Sequence, residues 1–261
     1  MIKRFVYILI GVAMTLASCS EIDENDRLTT IDKVEVRKKV LIEDFTGQKC
    51  KYCPNAMEEI EKLQKEYGKE NIIAVGIHAG PLSYKGSSSN IGLFTETGQK
   101  YFDHWGIEGQ PKGLINRQGG ILKDSDWPKA VREAISQTAP ISIDISNTYD
   151  EATKTVKIDV KTVGITDATT GKLQVWVIEN NIIAIQLMPD GTNNPNYVHN
   201  HVFRATVNGL WGDDFAINKD ETKTNQYTLT LDEKWVADNV SIVAFVYNDN
   251  GVQQVECKPI K

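Results

Sequence analysis

The hydrophobic rhythm of this chain changes twice. Residues 40–45, Val-Leu-Ile-Glu-Asp-Phe, form a nearly continuous apolar run and predict a buried strand. Ala56, Ile60, Leu63 and Tyr67 then recur at helical spacing with Glu and Lys between them, so residues 54–67 predict a helix. Pro54 suits its first turn and Gly68 its end. A second apolar run at 72–77 completes a βαβ unit, for which a parallel pair and a right-handed crossover are expected. Gly86-Ser87-Ser88-Ser89-Asn90 reads as a loop, and residues 95–105 as a helix. Residues 112–117 and 121–122 read as strands around a Gln118-Gly119-Gly120 turn, and 128–136 as a closing helix. The order is β-α-β-α-β-β-α over residues 34–139.

At Pro140 the texture becomes that of short strands separated by Gly, Asn and Asp turns. Strands are predicted over 141–147, 155–162, 173–179, 198–207, 227–231, 240–247 and 252–258. Several alternate by twos, as Val156, Ile158 and Val160 do. About seven strands in this stretch predict an antiparallel sandwich over residues 140–261.

The first residues follow a different logic. Lys3 and Arg4 precede a short apolar stretch, residues 5–16, and Leu16-Ala17-Ser18-Cys19 closes it. This resembles a bacterial lipobox, which implies a signal peptide over 1–18 and lipidation of Cys19. Ser20 follows, and then Glu21, Asp23, Glu24 and Asp26, an acidic tether over 19–33 that resembles the surface-export signal of Bacteroidetes lipoproteins. The expected address is the outer membrane, with the lipid as anchor. The net charge of −6 leaves no footprint for nucleic acid.

Cys50-Lys51-Tyr52-Cys53-Pro54 is the stretch that carries chemistry. A strand, then CxxC, then a helix puts the first cysteine beside unpaired backbone N–H groups, which favour a thiolate, and the second about one turn on. Lys49 and Lys51 add positive charge. Cys257 has no evident partner and reads as a small buried or half-buried hydrophobe in a terminal strand.

The first half resembles the thioredoxin superfamily. Asp44 stands six residues before Cys50, as that family's buried carboxylate does, and Trp105-Gly106-Ile107-Glu108-Gly109-Gln110-Pro111 resembles its approach to a cis-proline. Lys49 replaces the usual aromatic residue, Gln110 replaces a β-branched one, and the interval from Cys50 to Pro111 is longer than in a minimal thioredoxin. The whole mature chain resembles the Bacteroidetes outer-membrane lipoproteins named for the twenty-eight-kilodalton outer-membrane protein. Phe45-Thr46-Gly47 before the CxxC, and His199-Asn200-His201-Val202-Phe203-Arg204 followed by Gly209-Leu210-Trp211-Gly212, carry that resemblance. Together they imply an α/β thioredoxin-like domain followed by an all-β immunoglobulin-like sandwich.

The thioredoxin resemblance implies roles. Cys50 would attack, Cys53 would resolve the mixed disulfide, Asp44 would relay its proton with Glu43 as the substitute, and Pro111 in cis would lie against the dithiol. Gln110, Lys51 and Tyr52 would meet the substrate. Two functions stay open. One is thiol–disulfide exchange with envelope or surface proteins. The other is a non-catalytic adhesin or binding lipoprotein whose CxxC is a stabilising disulfide. Zinc at Cys50 and Cys53 is disfavoured on ligand count, since His78, His104, His199 and His201 all lie far along the chain. No metal or cofactor is called for, and P-loop, GxSxG and HExxH signatures are absent.

Overall fold

The computed structural model describes residues 36–261. The expected signal peptide, the acidic tether and Cys19 lie outside them. The described residues form one compact unit. Its strands are β1 (Val40–Thr46), β2 (Ile72–His78), β3 (Lys112–Ile115), β4 (Gln118–Leu122), β5 (Ile141–Asp150), β6 (Thr155–Gly164) and β7 (Thr169–Glu179). They continue as β8 (Ile182–Leu187), β9 (Asn193–His199), β10 (Val202–Thr206), β11 (Asp213–Ile217), β12 (Thr222–Thr230), β13 (Val240–Asn248) and β14 (Gly251–Pro259). The helices are α1 (Cys53–Tyr67), α2 (Glu96–His104) and α3 (Trp127–Ile135).

A mixed sheet of nine strands runs through both halves of the chain, in the order β14-β13-β7-β10-β2-β1-β3-β4 with β11 on β7. β1 and β2 are parallel, with Val40 opposite Ile72. The link between halves is narrow: Val202 of β10 stands opposite Gly76 of β2, and the Gly76 N–H donates to the His201 carbonyl at 2.8 Å. β5, β6 and β12 form a second sheet, and β8 with β9 a separate two-stranded hairpin.

This overturns the expected succession of an α/β thioredoxin-like domain and a separate all-β immunoglobulin-like sandwich. The described residues are mostly β, with three helices on a large shared sheet. The physical reason is the core. Leu41, Phe45, Val75 and Ile77 of the first half and Tyr101 of α2 pack in one cluster with Trp176, Phe203, Phe245 and Val255 of the second. Two independent domains would each close their own core.

Strand faces explain how this happens. Side chains alternate across a strand. In β1, Val40 and Ile42 face Ile60, Leu63, Trp127 and Val131 of the helices, whereas Leu41 and Phe45 face the shared cluster. β7 is divided likewise: Val175 and Val177 join Ile143, Ile158 and Ile242 under the second sheet, and Trp176 and Ile178 join the shared cluster. Both strands are buried on two sides, which is why apolar residues occupy both of their faces, interrupted only by buried polar side chains such as Glu43, Asp44 and Gln174 over Val40–Phe45 and Leu173–Ile178.

Candidate functional site

β1 delivers the chain to a tight turn. Gly47 is pressed against the backbone at Leu82, where a Cβ would stand 2.3 Å from the carbonyl oxygen, so no larger residue fits without movement. The Cys50 N–H closes the turn onto the Gly47 carbonyl at 3.0 Å. α1 begins at Cys53, with Pro54 in its first turn and no side-chain cap. Cys50 therefore sits in the turn just before the helix. Cys50 and Cys53 are joined in a disulfide with Cα atoms 5.4 Å apart.

The disulfide is covered. Cys50 is 1% exposed and Cys53 3%. The cover is the β8–β9 hairpin from the second half, in which Ile182 pairs with His199 and Ile183 with Val198. Its inner face carries the buried Ala184, Gln186 and His199, while Ile183 and Val198 point out. Gln186 Nε2 donates to the Cys50 carbonyl at 2.9 Å, and the Leu187 N–H to the Gln48 carbonyl at 2.9 Å. Gln48 returns a bond from its Nε2 to the Ile185 carbonyl at 3.1 Å, and its Oε1 receives the Leu93 N–H. The backbone carbonyls of Gln48 and Cys50 are thus already occupied by the hairpin.

The two carboxylates of β1 have different fates. Glu43 lies on the shared-core face, paired with Arg117 at 2.6 Å with both side chains buried. The Arg117 guanidinium also sits 4.4 Å from the Tyr247 ring centroid and 5.0 Å from that of Phe245. Committed to this pair, Glu43 is not free to stand in for Asp44. Asp44 shares the opposite face with Ile42, toward α1, and neither of its oxygens has a hydrogen-bond partner. Burial, with a smaller contribution from the charge of Asp124, pushes its carboxyl up to about 8. It is a neutral acid at neutral pH.

The Gln110–Pro111 bond is cis. The Gln110 side chain donates to the carbonyls of Thr46 and Ala79, which ties this loop to the ends of β1 and β2. Tyr52 is 57% exposed, and the Lys51 ammonium lies over its ring at 5.7 Å.

The histidines divide. The strand expected over 198–207 is broken: β9 ends at His199, and His201 follows in a turn at φ +56° before β10. The two do not share a strand face. His201 meets Gln64 of α1 at 3.4 Å, and His104 packs on Trp211. His199 meets His78 instead, with ring centroids 5.3 Å apart beside Cys53. Burial drives His199 down to about 4 and holds His78 well below the usual imidazole range, so both are neutral. The hairpin and this pair escaped the sequence reading. The alternation of Ala184 and Gln186 between isoleucines was the available signal.

A wider cleft of about 860 Å³ opens beside the hairpin, between the serine-rich loop and β8. Ile91, Ile183 and Val236, each more than half exposed, line it together with Arg204 and Lys234. Cys257 is free, and burial pushes its thiol up to about 12.

The family model of the outer membrane protein Omp28 matches residues 98–261, the larger part of the chain. The match begins after the disulfide. Among solved structures the chain is similar to HBP35 of Porphyromonas gingivalis, at TM-score 0.67 and 20% identity, covering 86% of this chain and 76% of that one. This likeness concerns the fold alone. A domain of the outer membrane lipoprotein Omp28 from Porphyromonas gingivalis matches at 28% identity, over 47% of this chain and 97% of that one, with TM-score 0.35. The sporulation control protein Spo0M from Bacillus subtilis matches at 14% identity over 47% of this chain and 48% of that one, with TM-score 0.32. The last two carry no argument about fold. No curated protein matches the chain.

Proposed function

The chain belongs to the outer membrane protein Omp28 family, and on that premise we propose that it is a lipid-anchored binding module whose Cys50–Cys53 disulfide is a covered structural clasp. The observation that carries this reading is the burial of both cysteines under the β8–β9 hairpin. Exchange requires a thiolate to reach a disulfide sulfur, and the hairpin stands in its way. The clasp fixes the turn between β1 and α1 and gives the hairpin a firm seat. Binding falls to the cleft beside it, where exposed isoleucine and valine side chains adjoin Arg204 and Lys234. Exposed apolar surface of this kind marks interaction sites. Cys19 would carry the anchor, and the partners would be envelope or surface proteins.

Asp44 favours a second reading, thiol–disulfide exchange. A buried, unpartnered acid near neutrality on the face of β1 that meets α1 is suited to hold and return a proton for Cys53. Cys50 would then attack, with Pro111, the Gln110 backbone, Lys51 and Tyr52 beside the client. This reading requires the hairpin to swing away.

Trapping decides between the two. The Cys53→Ser variant, expressed in the envelope, is expected to remain free of mixed disulfides, and the native clasp to resist thiol reductants until the protein unfolds. Client proteins captured through Cys50 would overturn the clasp and establish exchange.

A further inference from the structure

Two imidazoles and Cys53, the half of the disulfide to which Cys50 is bonded, meet at one small cavity. Cys53, Met57, His78 and His199 line it, in a space of about 10 Å³, room for one small ion or water. These residues come from the start of α1 and the ends of β2 and β9. His78 and His199 are each 4% exposed. His78 Nδ1 and His199 Nε2 are buried without any hydrogen-bond partner. Leaving such nitrogens unpaired costs about 1–3 kcal/mol apiece, a cost that a ligand there would remove. The two rings stand 70° apart in plane, with centroids 5.3 Å from each other. Two imidazoles on one tetrahedral ion, with metal–nitrogen bonds of about 2.0–2.1 Å, place their centroids about 5 Å apart. With the disulfide closed, the described residues contain no group of three or more His, Cys, Asp or Glu able to hold a metal. What is missing is sulfur donors, and the disulfide holds them masked.

We propose that in the dithiol form Cys50, Cys53, His78 and His199 bind a thiophilic divalent cation of the zinc class. The disulfide takes two electrons and two protons from a dithiol reductant, which is itself oxidised to a disulfide. The cation then displaces both thiol protons to solvent, leaving two thiolates and two neutral imidazoles around a doubly charged ion, a site of zero net charge. Disulfide and metal are mutually exclusive, because both use the same sulfurs. A disulfide oxidant, which takes the two electrons together with two protons from solvent and becomes a dithiol, rejoins Cys50 and Cys53 and expels the ion. The inference goes beyond the clasp and does not depend on it, since a chain that meets the metal before it is oxidised would bind by the same donors.

The test uses the full mature chain. It is reduced in denaturant with a phosphine, which leaves as its oxide with an oxygen from water, and refolded without oxygen in the presence of cobalt(II). One equivalent of cobalt is expected to give the thiolate charge-transfer and ligand-field bands of a tetrahedral site, bleached by zinc. The oxidised protein should give none. His78→Ala and His199→Ala should each weaken zinc binding by at least ~100-fold, beyond the effect of losing an outer partner, whereas His201→Ala should not. Melting of the oxidised variants reports on folding, and His199→Gln serves where alanine does not fold. Reduced protein that regains its native circular dichroism yet shows no thiolate–cobalt bands would overturn the proposal. So would zinc affinity unchanged in both histidine variants.

Discussion

Replacing Asp44 by asparagine removes a buried acid that nothing in the fold stabilises when it ionises. Its carboxyl rises from 3.8 to about 8, chiefly through burial. The folded protein therefore holds this proton more tightly than the unfolded chain does. Below about pH 4 both states are protonated and Asp44 has no effect on stability. As pH rises from about 4 to about 8 the unfolded chain releases the proton and the folded protein keeps it, so stability falls. Above about 8 the loss is complete and constant. At roughly 1.4 kcal/mol per unit, the loss reaches about 4 kcal/mol at pH 7 and stays below about 1 at pH 4. Asparagine does not titrate, and its own unpaired amide adds an offset that is independent of pH. The difference between Asp44→Asn and the native protein should therefore grow by about 3–4 kcal/mol from pH 4 to 7, in favour of the variant. Urea unfolding of the disulfide-intact protein, followed by the fluorescence of the buried Trp127 and Trp176, measures it. Stability–pH curves that run parallel for the two proteins would refute the burial argument.

Four further variants probe the same architecture. Arg117→Ala leaves Glu43 charged and unpaired in the shared core, and should cost about 3–5 kcal/mol in equilibrium unfolding. Gly47→Ala forces a Cβ onto the Leu82 carbonyl; a loss of about 1–3 kcal/mol is expected by the same measurement, as for other overpacked sites. Cys50→Ser paired with Cys53→Ser opens a very short ring, for which loop-closure entropy predicts a loss of about 2 kcal/mol in thermal or urea unfolding. Gln186→Ala removes a hydrogen bond that seats the hairpin over Cys50. At about 1 kcal/mol per bond the disulfide should be reduced about fivefold faster, as thiol-release assays would record.

The parts of the fold that were legible in sequence are those whose side chains answer to local rules. Ala56, Ile60 and Leu63 face one side because helical spacing puts them there, and α1 runs Cys53–Tyr67 where residues 54–67 were expected. Gly68, at φ +94°, stops the helix as glycine should. β1 and β2 appear within one residue of their apolar runs. Which strands share a sheet is not a local property, and there the reading failed. An unbroken apolar run such as Val175–Ile178 says that both faces are buried, but not against what. In the fold Trp176 looks toward Tyr101 of α2 and the neighbouring Val175 toward the second sheet, so one strand serves two cores.

The candidate site was hidden for a related reason. Asn193-Asn194-Pro195-Asn196 has the composition of a loop, and a proline normally demotes a strand. β9 forms nonetheless as one side of an isolated hairpin, where a missing N–H goes unpunished on the free edge. That hairpin decides the chemistry. It brings Gln186 to the carbonyl of Cys50 and His199 to His78, from residues more than a hundred positions away. On the sequence resemblance alone, Cys50, Cys53, Asp44 and Pro111 read as an exchange site. Under the cover supplied by the second half, the same two cysteines are buried, and Cys53 lines a cavity the size of one small ion. The function of a CxxC is thus set by what packs over it, and that is the part of the site for which sequence spacing carries no signal.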